Sequence, residues 1–281
     1  MIHDQASALR QLKKLRDSLS PDALPTAADL LASLPRPSGF PAIALVVPEH
    51  QGIDLPPLTS WIHSLLGDAR RACLWDQAGL ISLIAPTGVQ EPFTPAQATV
   101  ESAVGPLLAL PRIPGLAHLP GRPEADRIRF VRHLLRCLGS CTELWITLRA
   151  GELAHSQAIL HATDLACLLV PQHPDAILRS YEAVKTIHLS GYFSTFGLIG
   201  LDAGEADGPA SLVDRIMAVA KQFLSLDLVP AGMVLSGQSS RNSINTQARG
   251  LIARLDPSSC EFFWFLTERL LNPIPGDVPL P

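Results

Sequence analysis

Two adjacent residues with acid–base side chains, Glu49 and His50, follow a short apolar run at residues 42–47. The run is bounded by prolines and has the composition of a strand that is buried on both faces of a parallel sheet. An acid–base pair at the carboxyl end of such a strand would lie where doubly wound sheets bind ligands, and it could exchange a proton with a substrate. Neighbouring loop residues need not point together, so a solvated loop is the interpretation that we favour.

A second group of residues has metal-ligand chemistry. His133, Cys137 and Cys141 recur at four-residue steps, which would place them on one face of a helix. A structural zinc site needs four ligands, and no fourth candidate is evident. Most of the 5 cysteines lie inside or beside apolar runs. We therefore expect buried free thiols and no metal.

The elements that must position these residues alternate between apolar runs and helical stretches. Strands are predicted at 42–47, 71–75, 80–85, 107–110, 144–148, 165–170, 196–201 and 232–235, and helices at 27–31, 58–66, 128–138, 154–162, 175–187 and 211–224. The proline-rich segment 106–123 is predicted to be mainly loop. Strands separated by single helices require crossover connections, which predicts an α/β fold with a mostly parallel, doubly wound sheet.

Ahead of this domain the chain has an amphipathic segment and a proline-rich one. Leucines recur at three- and four-residue steps over residues 9–19 and predict a helix that Pro21 ends. Five prolines in residues 21–41 are typical of a linker, with at most one short helix. The predicted organisation is a tethered helix (1–20), a linker (21–41), an α/β domain (42–256), and an aromatic helix with a tail (257–281).

The N-terminal segment carries a recognisable motif, in which Asp4, Gln5 and Ala6 are followed by Leu9 and Arg10. This order resembles the activator motif of the flagellar-number regulators FlhG and FleN, which are MinD-like ATPases that stimulate the GTPase FlhF. The resemblance implies a helix that docks on a GTPase with Gln5 near the nucleotide. Residues 164–187 and 197–234 are also similar to the MinD-like pattern of strands, helices and a proline-bearing turn, which implies a P-loop NTPase fold.

The nucleotide chemistry that this resemblance would imply is missing from the expected positions. A phosphate-binding loop after the first strand needs several glycines and a lysine. The loop at 48–56 has Gly52 as its one glycine and has no lysine. Thr147, or a neighbour, stands where the family places a magnesium-positioning aspartate, and only Asp76 remains as a counterpart of its water- or metal-handling carboxylate. We expect no ATP hydrolysis, because phosphoryl transfer depends on positioning and charge neutralisation.

The C-terminal helix is predicted from a capping box formed by Ser258 and Glu261, and Pro273 would stop it. It contains four consecutive aromatic residues: Phe262, Phe263, Trp264 and Phe265. MinD-like proteins often end in a membrane-binding helix, which this segment resembles in position. Arg269 is its one basic residue, so packing on the domain or on a partner is favoured over membrane insertion.

Composition narrows the remaining classes of function. A net charge of -4 and 47% hydrophobic content argue against a nucleic-acid-binding or disordered protein. No apolar run of membrane-spanning length and no signal-peptide pattern occurs, so we expect a cytoplasmic protein, with recruitment to the inner membrane or cell pole left open. The resemblance, together with the missing nucleotide chemistry, implies a non-catalytic FlhG-like regulator, without a cofactor, that engages an FlhF-like GTPase. A divergent MinD-like ATPase and a scaffold of a polar secretion or pilus system remain alternatives, and the oligomeric state stays open.

Overall fold

Helices and strands alternate through the part of the chain that the computed structural model describes, which comprises residues 26–34, 39–48, 72–80, 98–102, 105–113, 116–139, 141–171, 175–192, 194–202, 209–235, 255 and 260–272. The strands are β1 (Ala42–Val47), β2 (Ala72–Trp75), β3 (Ala98–Ser102), β4 (Gly105–Leu110), β5 (Glu143–Arg149), β6 (Leu165–Pro171), β7 (Thr195–Asp202) and β8 (Val229–Leu235). The α-helices are α1 (Ala27–Ser33), α2 (Glu124–Leu138), α3 (Gln157–Ala162), α4 (Ala176–Leu189), α5 (Pro209–Leu224) and α6 (Phe262–Leu271). Two 3-10 helices cover Leu116–Gly121 and Ala150–His155.

The described strands form one 8-stranded sheet in the order β3-β4-β2-β5-β1-β6-β7-β8. β3 pairs antiparallel with β4, whereas every other pairing in this sheet is parallel. Parallel neighbours cannot be joined by tight turns, so the chain crosses over through helices between most of them. The fold is therefore α/β with a mostly parallel sheet, as the sequence predicts.

The centre of the sheet is apolar on both faces. All six residues of β1 are buried, and alternate residues contribute to two separate clusters. Ala44 belongs to the cluster that also contains residues of all six described α-helices. Leu45 belongs to the second cluster, which is made mainly of strand residues. A central parallel strand has no solvated face, which is why its sequence reads as an unbroken apolar run.

Several predicted boundaries differ from the structure for local reasons. β3 was not predicted, and a 3-10 helix occupies Leu116–Gly121 where the sequence predicts loop. α2 begins four residues earlier than the predicted helix, because Pro123 can precede a first turn whose Glu124 and Asp126 favour the positive end of the helix dipole. The predicted helix at 58–66 and nearly all of the predicted strand at 80–85 lie outside the described residues.

Within the predicted linker (21–41) the predicted short helix is confirmed as α1, but its residues pack on the domain and do not form an open tether. α1 begins with a capping box, in which Thr26 and Asp29 each bond the other's backbone N–H. Leu30 is 1% exposed, and the Phe40 ring lies 4.7 Å from that of Phe263, centroid to centroid. Proline content predicts an open tether, but apolar side chains at these positions find a surface on α2 and α6 and pack there.

The C-terminal helix α6 is part of the same core. Phe262 and Phe263 are buried, and the Arg127 guanidinium donates through Nη1 to the Leu270 and Leu271 carbonyls at 3.0 and 2.6 Å. The predicted capping box is wrong, because Glu261 is the N-cap residue of α6 and makes no side-chain cap. The favoured prediction that these aromatics pack on the domain is confirmed for Phe262 and Phe263, so these two are not available for the membrane or partner contact that was left open.

Candidate functional site

The predicted nucleotide-site residues that the structure describes, Asp76 and Thr147, meet at the carboxyl edge of the sheet. β2 pairs with β5 so that Trp75 lies opposite Ile146, which brings together the residues that follow each of them. The Thr147 hydroxyl donates to Asp76 Oδ1 at 2.8 Å. β1 lies on the other side of β5, so this edge is also where the loop at 48–56 begins.

The turn that follows β2 holds both side chains in place. The Leu80 N–H donates to Asp76 Oδ1 at 2.9 Å, and the Ala78 N–H donates to the Thr147 hydroxyl oxygen at 3.1 Å. Gly79 has a φ of 68°, a conformation that a residue with a side chain adopts only with strain. The turn therefore closes around Asp76, and this carboxyl group is 1% exposed.

Two neighbouring side chains fix the same turn from outside. Arg149, at the end of β5, donates through Nε to the Ala78 carbonyl at 2.6 Å. Gln77 exchanges two hydrogen bonds with the backbone of Ile113, which follows β4: it accepts from the N–H at 3.1 Å and donates to the carbonyl at 3.3 Å. Three neighbouring strands, β4, β2 and β5, are thus cross-linked at their carboxyl ends.

A charged pair borders this edge of the sheet. Arg112 forms an ion pair with Glu152, with 3.0 Å between Nη2 and Oε2. A Cβ atom on Gly79 would lie 3.5 Å from Arg112 Cδ and 3.8 Å from Arg149 Nη2. Both are ordinary van der Waals distances, so both arginines lie directly over the turn, and it is the positive φ of Gly79 that favours glycine there.

The arrangement is better suited to holding the turn than to holding a magnesium ion. A metal-binding carboxylate must present an oxygen toward a space that water and phosphate can enter. Asp76 Oδ1 instead accepts from a hydroxyl and a backbone N–H of its own domain, and the group is sealed from solvent. Thr147 brings a neutral hydroxyl to the same place.

The other predicted site residues have different outcomes. Glu49, His50 and Gly52 lie outside the described residues, as do Asp4, Gln5, Ala6, Leu9 and Arg10. Trp264 and Phe265 are partly buried on α6, far along the chain from this edge, and pack against the main core cluster. Sequence reasoning missed Gln77, Arg112 and Arg149, although each is polar and ends a strand or follows one within two residues, which is the available signal.

The cysteines near the predicted metal-ligand group are free thiols that are buried or partly buried. Interaction with the Cys141 thiol, followed by burial, raises the pKa of Cys73 well above its ordinary value. Burial also raises the pKa of Cys137 to about 11. Thiols with raised pKa values are poor nucleophiles and poor metal ligands at neutral pH. Among the described residues, no group of three or more His, Cys, Asp or Glu is arranged to hold a metal ion.

Comparison with known proteins gives structural likeness only. No protein-family model matches the chain, and no curated protein matches it. The MinD cell division protein of Aquifex aeolicus is similar with 14% identity and a TM-score of 0.43, over 83% of this chain and 98% of that one. Cobyrinic acid a,c-diamide synthase from Mycobacterium smegmatis, with bound ADP and magnesium, has 16% identity and a TM-score of 0.45, over 74% of this chain and 92% of its own.

A ParA family ATPase from Chlorobium tepidum is similar to the same extent, with 11% identity and a TM-score of 0.42, over 83% of this chain and 98% of that chain. Likeness at this level concerns the arrangement of strands and helices and does not extend to chemistry. Among the described residues, no helix is both long and apolar enough to cross a bilayer.

Proposed function

We propose that this protein is a non-catalytic regulator with a MinD-like architecture, a pseudo-ATPase that acts on an FlhF-like GTPase through its N-terminal segment. The motif of Asp4, Gln5, Ala6, Leu9 and Arg10 supports the choice of partner. The loop at 48–56, with one glycine and no lysine, supports the loss of phosphate binding. The proposed outcome of the interaction is control of flagellar number or placement.

One observation carries the proposal that ATP is not hydrolysed. The Asp76 carboxyl group accepts a hydrogen bond from Thr147 and is closed off by its own turn. The lysines of the chain are Lys13, Lys14, Lys185 and Lys221, and none of them is near the loop at 48–56 in sequence. Loss of one charged contact in phosphoryl transfer can cost about 10³-fold in rate, and here both the cation and the metal carboxylate are affected.

The absence of nucleotide chemistry is tested by titrating the full chain with ATP and magnesium in a calorimeter. We expect no heat of binding. Saturable, magnesium-dependent binding that disappears in Asp76→Asn would contradict the pseudo-ATPase and favour the divergent ATPase. The measurement needs a check that Asp76→Asn remains folded, for which far-UV circular dichroism suffices.

The partner is tested by measuring GTP hydrolysis by an FlhF-like GTPase with and without this protein. We expect stimulation that Gln5→Ala abolishes. Gln11→Ala is the matched control, because it removes the same side chain from the same segment outside the motif, and it should leave stimulation intact. Unchanged binding after deletion of residues 1–20 would refute the role of the segment and favour a scaffold.

A further inference from the structure

One arginine in the core has no partner. Arg132 lies on α2 and is only 6% exposed, yet its Nε and Nη2 atoms are buried without a hydrogen-bond acceptor. Arg136, one helical turn further on, is exposed. The ion pairs of the described residues involve other arginines and Lys221. Within the described residues, neither Arg132 nor Arg136 is paired with a carboxylate.

The two guanidinium groups also act on each other. Residues four apart on a helix are neighbours on its surface, and like charges at that spacing repel. Burial, and secondarily the charge of Arg136, lower the pKa of Arg132. An arginine nevertheless stays protonated at any physiological pH, so it cannot escape the cost of burial by losing its charge.

Ordinary structural roles account for Arg136 but leave Arg132 unexplained. Arg136 lies in the last turn of α2, where a cation interacts favourably with the negative end of the helix dipole. Arg132 lies a turn earlier and closer to the core. A buried charge without a counter-ion or acceptors is strongly unfavourable, so an anion bound at this place would stabilise the arrangement.

We propose that Arg132 and Arg136 form a binding site for a phosphate group that carries two negative charges. Such a dianion would neutralise both guanidinium groups, whereas one carboxylate would leave a net positive charge in a partly buried place. Guanidinium groups bind tetrahedral oxyanions through paired N–H donors. Nε and Nη2 of Arg132 are unused but sealed from solvent, so binding requires this side chain to move outward beside Arg136. An anion that arrives from solvent would meet exposed Arg136 first.

The site is separate from the Asp76 and Thr147 edge. The end of α2 that carries Arg136 leads into the amino end of β5, whereas Thr147 lies toward the carboxyl end of that strand. The proposal therefore stands independently of the GTPase interaction. The same chemistry could be supplied by free phosphate compounds or by a phosphorylated side chain of another protein.

The test is thermal unfolding of the full chain in inorganic phosphate and in acetate at equal ionic strength and pH. At a phosphate concentration about 100 times its Kd, the melting temperature should rise by about 5 °C. Acetate should give a much smaller rise. Equal effects of the two anions, or no effect of phosphate, would overturn the proposal.

Three variants show which residues the rise in melting temperature in phosphate depends on. Arg132→Gln and Arg136→Gln should each remove it, whereas Arg129→Gln should retain it, because Arg129 is exposed and already paired with Asp126 at 3.2 Å. Arg132→Gln removes a charge that lacks a partner, so it should melt no lower than wild type in phosphate-free buffer. Should it fail to fold, the exposed Arg136→Gln variant still decides the question.

The result that contradicts the assignment is a phosphate response that survives in both Arg132→Gln and Arg136→Gln, or one that is lost equally in Arg129→Gln. A calorimetric comparison of inorganic phosphate with a phosphoserine peptide then separates the two sources. Tighter binding of the peptide would indicate a phosphorylated protein partner, and equal or weaker binding would indicate a small phosphate compound.

Discussion

The hydrogen bond between Thr147 and Asp76 can be tested by replacing the threonine with valine, which has nearly the same shape and no hydroxyl. Thr147→Val removes the donor to Asp76 Oδ1 and leaves the Ala78 N–H without its acceptor. A lost hydrogen bond to a charged group costs about 1.5–3 kcal/mol, and a buried unpaired N–H costs about 1–3 kcal/mol. Leu80 still donates to the carboxylate, so we expect a loss of about 2–4 kcal/mol in the free energy of unfolding.

Thr147→Ser is the matched control, because it keeps the hydroxyl and removes only a methyl group. Its expected cost is about 1 kcal/mol. The assay is equilibrium unfolding in urea at neutral pH, where the wild type and both variants should share one m-value. The valine variant should therefore unfold at clearly lower urea than the serine variant.

The reasoning would be refuted if Thr147→Val were as stable as Thr147→Ser, because the hydroxyl would then have no energetic role. A double-mutant cycle with Asp76→Asn gives a second criterion. The coupling energy between the two positions should be about 1 kcal/mol or more, since the effects of mutating two polar groups in contact are not additive. Additive effects would mean that the carboxylate is held by something other than Thr147.

Three further predictions concern the packing of the domain. Burial raises the pKa of Asp164 from 3.8 to about 6. The native state therefore binds a proton more tightly than the unfolded chain, and the free energy of unfolding of wild type should fall as the pH rises from about 4 to above 6. Asp164→Asn should remove this pH dependence. Above pH 6 the free energy of unfolding of the variant should exceed that of wild type by about 1–2 kcal/mol, as measured by urea titrations at several pH values. Arg127→Leu should cost about 1–3 kcal/mol by leaving the last carbonyls of α6 without a donor, whereas Arg129→Leu should change the free energy of unfolding by less than about 1 kcal/mol. Phe263→Ala should cost about 3–5 kcal/mol in the same assay, and Phe223→Ala, at a site that is 65% exposed, should cost far less.

Element positions were largely predictable because burial leaves a periodic or continuous apolar signal. β1 and β6 read as unbroken apolar runs, and both are strands that are buried along nearly their whole length. α1 was placed within two residues of its observed end, but its role was misread. Proline frequency describes local stiffness, and it carries no information about whether Leu30 has a surface to pack against.

The residues of the candidate site also divide into those that were indicated before the structure was known and those that were missed. Asp76 and Thr147 were indicated separately, each because the resemblance places a functional carboxylate at or near that position of a predicted strand. Gln77, Arg112 and Arg149 were missed, because their contacts depend on which strands are neighbours. The solvated loop at Glu49 and His50, and the alternative of an acid–base pair, stay predictions, since both residues lie outside the described residues.

The class of fold follows from local patterns in the sequence, since apolar runs that alternate with amphipathic helices are buried in a parallel sheet. The pairing of polar groups follows from the order of the strands in the folded protein. Thr147 and Asp76 are 71 residues apart and touch because β2 and β5 are adjacent. Strand order is set by the packing of all the layers together, and no local pattern of residues records it.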